Sequence, residues 1–592
     1  MKRANYKIFL PVGIAVIALV FSCSKSFLVK PPVGSYTPDV VASKAGVAGL
    51  LIGAYSLLEG HGGAGPNVPG GGDWVTAGSN WVWGSVCSDD SHKGSDPGDQ
   101  PDIVGLMTWS ESATNNYNEG KWEVCYDGVQ RSNEVLRVMR IATDIDPVDT
   151  VQFAAQARFL RAHYTMEAKK VFGNIPYVDE SVTYTAGNWR VPNSADVATN
   201  NTEVWPKIEA DLQYAIDNLP EKTDAGRVNK WAAQAYLAKA YMFQQKFAAA
   251  LPLLTQLMTS GATPAGTKYK LLDKYSDNFN ADFKNSSESV FAAQNSVNDG
   301  SGAANSNPGD VLNFDYQGPI GCCGFNQPSY SLVNAYKTDP TTGYALPDTY
   351  NNSNLKNDEN IKSSDPYTPD TTTPLDPRLD WVAGRRGIPY LDWGINPGFI
   401  WIRNQASAGP YLPVKNVPYK SQIGVQTDKS SWTPGYTAIN INLVRFADVI
   451  LWAAECEVEV GSLDNAQTDV NLVRNRAANP AGFVPLSPAN YFIKPYAAGF
   501  FAGLGQAGAR KYVQFERRLE LAMEGQRFFD LVRYGTAAAE LNAYVAKEVG
   551  YGYQLMQGAV FTANSNYFAI PQQEIDASTE AGAPTLKQNP GY

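Results

Sequence analysis

Apolar positions three or four residues apart recur along much of the chain and predict amphipathic helices. The clearest run begins at Trp231 and reaches Met242. After a polar break at 244–246, the same spacing resumes at Phe247 and reaches Met258. A stripe of this period faces one side of a helix, so the pattern predicts two helices joined by a tight turn.

Comparable helical texture occurs in several other segments. These are 40–58, 122–140, 151–172, 204–219 and 443–478. Small alanines at the crossing of the hairpin at 231–258 resemble a tetratricopeptide repeat, which stacks helix pairs into a solenoid. The spacing between units is irregular, so we expect a divergent array interrupted by insertions, with repeat units at about 120–260 and 440–535.

Two stretches lack a helical period and are rich in Gly, Pro, Asn, Asp and Ser, namely 60–115 and 262–440. Recurrent tryptophans favour ordered loops packed on the helices over disorder. The predicted fold class is therefore mainly α, a tetratricopeptide-like helical hairpin scaffold with a large loop-rich insertion containing short strands. We expect a single body over 23–592.

The N-terminus has the pattern of a bacterial lipoprotein signal. Three basic residues precede an apolar stretch at 8–21, which is too short for a comfortable membrane span. Ser22 and Cys23 follow and resemble a loose lipobox, so we expect 1–22 to be removed and Cys23 to be acylated. The alternative is an ordinary secretory peptide cleaved nearby.

Cysteines are too sparse to build a disulfide scaffold. Five follow Cys23, and an odd number leaves at least one thiol unpaired in a monomer. The adjacent Cys322 and Cys323 either form a vicinal disulfide or remain as two reduced thiols.

Charge excludes one class of partner. The net charge of -10 and the pI near 5.1 argue against nucleic-acid binding, which depends on clustered Lys and Arg. Adsorption to an anionic membrane is disfavoured for the same reason, so membrane attachment requires the lipid.

Aromatic residues on loops, beside polar side chains, suit carbohydrate capture, because flat rings cover the C–H face of a sugar and polar groups bind its hydroxyls. We predict ligand contact for Trp74, Asn80, Trp81, Trp83, Asp90, His92, Trp109, Phe325, Tyr330, Trp393 and Trp401. The alternative for each ring is burial beneath the loops.

One group of carboxylates is a candidate for catalysis. Glu516, Glu520 and Glu524 lie four residues apart on one predicted helical face, and a glycosidase needs two carboxylates. Neighbouring arginines favour helix-surface or interhelical ion pairs instead. We therefore expect no catalytic residues.

Metal and cofactor sites are not expected either. The chain has three histidines and no zinc motif, Walker loop or dinucleotide fingerprint. Calcium could be surrounded by Asp89, Asp90, Asp96 and Asp99, but the order of an EF-hand loop is missing, which favours a solvated acidic loop.

Several motifs in a fixed order resemble the SusD/RagB family. They are Cys23-Ser-Lys-Ser-Phe-Leu, Phe159-Leu-Arg-Ala-His-Tyr with Phe172-Gly-Asn-Ile-Pro176, Arg445-Phe-Ala-Asp448, Asn471-Leu-Val-Arg-Asn-Arg476, the segment from Glu516 to Asp530, Ile570-Pro571 and Gln588-Asn-Pro-Gly-Tyr592. These matches extend over nearly the whole chain.

The resemblance implies four tetratricopeptide-like units, a ligand site among the loops, and a partner transporter. In that family the protein forms a lid on a TonB-dependent SusC-like barrel in a Bacteroidetes-type outer membrane and closes over captured oligosaccharide. We thus expect a non-catalytic lipoprotein facing the cell exterior. The chain lacks the acidic pair often found after the acylated Cys. Alternatives are a binder of peptides or another nutrient, a helical-repeat adaptor, or a glycan-cleaving enzyme.

Overall fold

The computed structural model describes residues 38–61 and 72–592. The predicted signal peptide, the acylation site Cys23 and most of the glycine-rich segment 60–72 lie outside the described residues. Within the described ranges the chain is mainly helical, and its strands are short. None of the helices in these ranges combines the length and the apolar composition that crossing a membrane requires.

Helices of eight or more residues form the scaffold. In chain order they are α1 Lys44–Tyr55, α2 Asn116–Met139, α3 Pro147–Phe172, α4 Val197–Asn218, α5 Lys230–Phe243, α6 Phe247–Ser260, α7 Phe446–Val460, α8 Leu463–Ala477, α9 Phe500–Leu521, α10 Arg527–Tyr534 and α11 Ala537–Tyr551. Each predicted helical segment overlaps one or two of them, and the observed helices at 116–139, 147–172 and 197–218 begin several residues earlier than predicted.

Side-chain caps explain where several helices begin. The side chain of Asp146 accepts a hydrogen bond from the backbone N–H of Asp149, and Pro147 occupies the first turn of α3. Asn229 caps α5 in the same way. Helix α3 ends at Gly173, whose φ of 66° falls in the left-handed region that glycine tolerates. These local signals set the lengths of the helices.

Successive helices pack on one another from α1 to α6, and the stack continues across the insertion because α6 packs on α7, α7 on α8 and α8 on α9. The loop-rich segment 261–445 therefore leaves and rejoins the scaffold at adjacent helices. Buried alanines such as Ala235 and Ala238 let the helices approach closely. This arrangement confirms the predicted tetratricopeptide-like scaffold.

Shorter elements lie between the long helices. The short helices are Pro38–Val41, Asp102–Met107, Tyr330–Ala335, Leu379–Val382, Gln405–Ala408 and Gln572–Ala577. The strands are β1 Ser91–Gly94, β2 Ser289–Ala293, β3 Phe325–Pro328, β4 Ala383–Gly384, β5 Leu412–Pro413, β6 Ile441–Arg445, β7 Thr579–Glu580 and β8 Ala583–Pro584. They form the antiparallel pairs β1–β3, β2–β6, β4–β5 and β7–β8.

The insertion has an apolar core of its own. It contains Phe314, Ile320, Tyr390, Ile402, Ala408, Leu412, Val414 and Val417. Trp393 and Trp401 pack against this small core from its margin. A separate core of this kind holds long loops in place without regular secondary structure, so the aromatic side chains at its edge have a fixed platform.

Candidate ligand-binding surface

Most of the predicted ligand residues are buried. The buried ones are Asn80, Trp81, Trp83, Asp90, His92, Trp109, Phe325 and Tyr330, none of which is more than 8% exposed. Trp74, Trp393 and Trp401 are half-buried. In this conformation the buried side chains are part of the core.

The buried tryptophans have interior partners for their indole N–H groups. Trp81 donates to the carbonyl of Gly309, and Trp109 donates to the carbonyl of Cys87. The Lys121 ammonium lies 5.3 Å from the ring centroid of Trp83. A buried Trp with a satisfied N–H is a stable core residue, which explains why the aromatic cluster that follows the glycine-rich loop is inside the protein.

Close backbone packing also buries this segment. The single-turn π-helix Trp81–Val86 packs on the turn before α10. A Cβ added at Gly84 would lie 1.9 Å from the carbonyl oxygen of Gly525, so glycine is required there. Burial, the alternative stated for each ring, applies to Trp81 and Trp83, because Gly84 allows the segment to press against the C-terminal helices.

His92 is part of an internal link between distant segments. Its Nε2 lies 2.6 Å from Oε2 of Glu548, and its ring stacks on Tyr553 with centroids 3.6 Å apart. Glu548 also accepts hydrogen bonds from the backbone N–H groups of Tyr330 and Ser331. These contacts join β1, the insertion and α11, which is a structural role.

The remaining buried polar candidates also have internal partners. Asn80 donates to Oε2 of Glu167 at 2.8 Å and accepts from the Lys121 ammonium at 2.7 Å. Asp90 accepts from the backbone N–H of Met523. Burial raises the pKa of Asp90 to about 6, although the Arg518 guanidinium opposes the rise.

One group of solvent-accessible side chains at the margin of the insertion core fits the predicted chemistry. It consists of Tyr316, Phe399, Trp401 and Arg403, and we name it the Trp401 surface. The backbone N–H of Tyr316 donates to the carbonyl of Trp401, and the Arg403 guanidinium lies 4.9 Å from the Tyr316 ring centroid. Phe399 is 40% exposed. Aromatic faces therefore share one small region with the Arg403 guanidinium, which also pairs with Asp96 and Asp99.

The loops hold this surface in a fixed geometry. The centroid of the Trp401 ring is 5.6 Å from that of Tyr390, and the two ring planes meet at 67°. A Cβ added at Gly318 would lie 2.8 Å from the Trp401 ring, so the opposite loop can approach only with glycine there. Trp393, at the margin of the same core, donates to the carbonyl of Pro418. These contacts hold the Trp401 ring in one orientation.

The acidic residues considered for calcium bind arginines. Arg403 pairs with Asp96 at 2.8 Å and with Asp99 at 2.5 Å. Asp89 is buried between Arg518 and Arg527. Among residues 38–61 and 72–592, no group of three or more potential ligands is arranged to hold a metal ion.

The three glutamates considered for catalysis lie in a buried ion-pair network. Glu516 pairs with Arg378 and Arg474, and Glu524 pairs with Arg445. The network is interhelical, which agrees with the predicted structural alternative. A carboxylate held between arginines in the interior is poorly placed to donate a proton to a sugar.

Two loops carry exposed aromatic side chains that the sequence did not single out as candidate ligand residues. Trp432 is 63% exposed and donates from its indole N–H to the Tyr436 hydroxyl. Tyr184 is 80% exposed and stacks on Trp189 at 5.6 Å. Trp432 lies two residues before Pro434 and Trp189 two residues after Gly187, but Gly84 also follows Trp83, so a nearby Gly or Pro does not by itself separate exposed from buried tryptophans.

Cys322 and Cys323 are joined as a vicinal disulfide in this structure and are half-buried. The free thiols of Cys87, Cys125 and Cys456 are buried. Burial raises the pKa of Cys125 to about 12, so this thiol is unreactive at neutral pH.

Two family models match the chain. The model described as the SusD family matches residues 287–592, and a second, described as starch-binding associating with outer membrane, matches residues 77–242. SusD-like protein P25 of Formosa agariphila is 24% identical over 546 residues, which are 88% of this chain and 89% of that protein.

Solved structures share the fold at lower sequence identity. A SusD superfamily protein from Bacteroides vulgatus has a TM-score of 0.66 and 19% identity, with 93% of this chain and 100% of that chain covered. Surface glycan-binding protein A from Bacteroides thetaiotaomicron, solved in complex with laminarihexaose, has a TM-score of 0.59 and 20% identity, with 92% and 99% covered. The family model spans more than half of the sequence, and the chain therefore belongs to the SusD family.

Proposed function

We propose that this protein is a non-catalytic, lipid-anchored glycan receptor on the outer face of an outer membrane, which delivers its ligand to a SusC-like TonB-dependent transporter. The observation that carries the proposal is the Trp401 surface, where half-exposed aromatic rings lie beside the Arg403 guanidinium on ordered loops. This is the combination that stacks on a sugar ring and binds its hydroxyls.

The relatives support a glycan over other nutrients. The protein in complex with laminarihexaose is named a surface glycan-binding protein, and another solved relative is named a laminarin-binding SusD-like protein. Laminarin and its oligosaccharides are therefore the first ligands to test.

The absence of turnover is part of the proposal. The glutamates that sequence alone offers for hydrolysis are neutralised by arginines in the interior. Capture without cleavage also suits a protein that passes an intact oligosaccharide to a transporter. The outer-membrane location rests on Cys23 and on the description of the family model that matches 77–242, and the SusC-like partner rests on family membership.

The test is a polysaccharide panel that includes laminarin, combined with analysis of products. We expect saturable binding to at least one polysaccharide and no new reducing ends after prolonged incubation. Phe399→Ala should weaken that binding, whereas Leu486→Ala, which removes an even more exposed apolar side chain outside the Trp401 surface, should not. Released oligosaccharide would contradict the proposal, and binding of peptides alone would favour the peptide-binding alternative.

A further inference from the structure

A second cavity lies on the helical scaffold, outside the insertion. Its volume is about 390 Å³, within the range of small-molecule sites. It is formed by the C-terminal turns of α3 and α5, the first half of α4, and α10. The lining residues are Lys169, Lys170, Asn201, Thr202, Trp205, Phe243, Gln244, Lys246, Phe529, Val532, Arg533 and Tyr567.

The charged side chains that line this cavity are all cationic. It contains three lysines and one arginine and no Asp or Glu, although the chain as a whole has a net charge of -10. Arg533 is neutralised by Glu455, and Lys170 is paired with Glu167. Lys246 pairs at the rim with Glu209, so the charge that remains is concentrated at Lys169.

Lys169 is a buried cation whose partners are neutral. It is 2% exposed, and its ammonium donates to the carbonyl of Gly173 and to Oδ1 of Asn200. Within the described chain no carboxylate lies at salt-bridge distance from it. Burial lowers its pKa to about 7. An ammonium has three donors, so one remains available, and a buried cation without a counter-ion gains most from a bound anion.

Besides its cations, the cavity has an aromatic wall, and this wall restricts the kind of anion that fits. Trp205 and Phe243 stack with centroids 6.2 Å apart, and Tyr567 lies against Gly173, where a Cβ would meet its ring at 2.6 Å. Asn201 and Thr202 add polar groups at the exposed edge. A bare inorganic anion would use the cations but not the rings, and a neutral sugar would use the rings but not the cations.

We propose that this cavity, which we name the Lys169 site, binds the carboxylate and pyranose ring of a uronic acid. The carboxylate would accept from the free donor of Lys169 and from Lys246, and the apolar face of the ring would lie on the Trp205 and Phe243 wall. The site is separate from the Trp401 surface and does not depend on the function proposed there.

A matched pair of ligands tests the proposal. Methyl β-glucuronide and methyl β-glucoside differ only at C6, which is a carboxylate in the first and a hydroxymethyl group in the second. Each is titrated into the purified protein by calorimetry at pH 6.5 and low salt. We expect saturable binding of the glucuronide that weakens with added salt, and at least about tenfold weaker binding of the glucoside.

Four variants separate the outcomes. Lys169→Met should abolish glucuronide binding, and Lys246→Ala should weaken it about two- to fivefold, as expected for a rim cation. Lys207→Ala removes a cation from the exposed face of α4 outside the cavity and should leave binding unchanged. Phe399→Ala should also leave it unchanged, which distinguishes this site from the Trp401 surface.

Three results would overturn the proposal. They are equal affinity for both ligands, equal affinity for acetate, and glucuronide binding that survives both Lys169→Met and Lys246→Ala.

Discussion

Nη1 of Arg445 donates to Oε1 of Glu520 across 2.6 Å, in a position where both side chains are almost fully shielded from solvent. Glu520 also pairs with Arg378 at 2.9 Å and with Arg476. Arg445 lies where the insertion returns to the scaffold, and Glu520 lies near the end of α9. The pair therefore fastens the loop-rich insertion to the C-terminal helices.

Glu520→Gln should destabilise the fold strongly. The substitution leaves three arginines in the interior without a shared counter-charge, and breaking a buried ion pair by removing one partner costs about 3–5 kcal/mol. The free energy of unfolding measured in urea should fall by that amount. Glu540→Gln, on an exposed position of α11, should change it by less than about 0.5 kcal/mol. Equal stability of the two variants would show that the network contributes little.

Trp83→Leu should lower stability and leave ligand affinity unchanged. Trp83 is fully buried, and truncating a core tryptophan costs about 3 kcal/mol. Because the ring lies inside the protein, a polysaccharide on the surface does not contact it. Thermal denaturation and a binding titration of the same sample check both statements. If the variant kept its stability and lost affinity, Trp83 would instead be a ligand-contacting residue.

Acid should destabilise the protein partly through His163. Burial lowers the pKa of His163 to about 3, from an ordinary value near 6.5. Between these values the unfolded chain binds a proton that the folded chain does not, so stability falls as the pH drops through this window. From pH 6.5 to 5 the contribution is about 2 kcal/mol. His163→Gln should show a shallower loss over this range in urea titrations, and parallel curves for the variant and the wild type would contradict the assignment.

Cys23→Ser should release the protein from the membrane. A serine cannot carry the acyl chains, and the acidic body has no electrostatic attraction to an anionic bilayer. Fractionation of cells after labelling with radioactive palmitate should find the wild type labelled in the outer membrane and the variant unlabelled and unattached. Label on the variant would place the anchor elsewhere.

The scaffold was largely predictable because its signals are local. The spacing at Trp231–Met242 and the cap at Asn229 each specify a helix within a few residues. The burial of most candidate residues at 74–109 could not be read from the sequence, because burial depends on distant partners. Gly84 is unremarkable until Gly525 approaches it, and His92 gains its partner Glu548 from 456 residues away.

The candidate surface was predictable only in part for the same reason. Trp393 and Trp401 were named from composition, but Arg403 and Tyr316 join Trp401 through loop packing that no local pattern encodes. The Lys169 site combines the ends of separate helices with Tyr567, so sequence spacing gives no hint of it. A helical period predicts one element at a time, whereas a candidate site depends on how several elements pack together.

The most direct test of the central claim is a calorimetric titration of the strongest-binding polysaccharide into the wild type and Trp401→Ala. We expect saturable binding with no continuing heat from hydrolysis in the wild type. In the variant we expect at least about tenfold weaker binding and an unchanged circular dichroism spectrum. Unchanged affinity in a folded Trp401→Ala variant, or continuing heat from hydrolysis in the wild type, would contradict that claim.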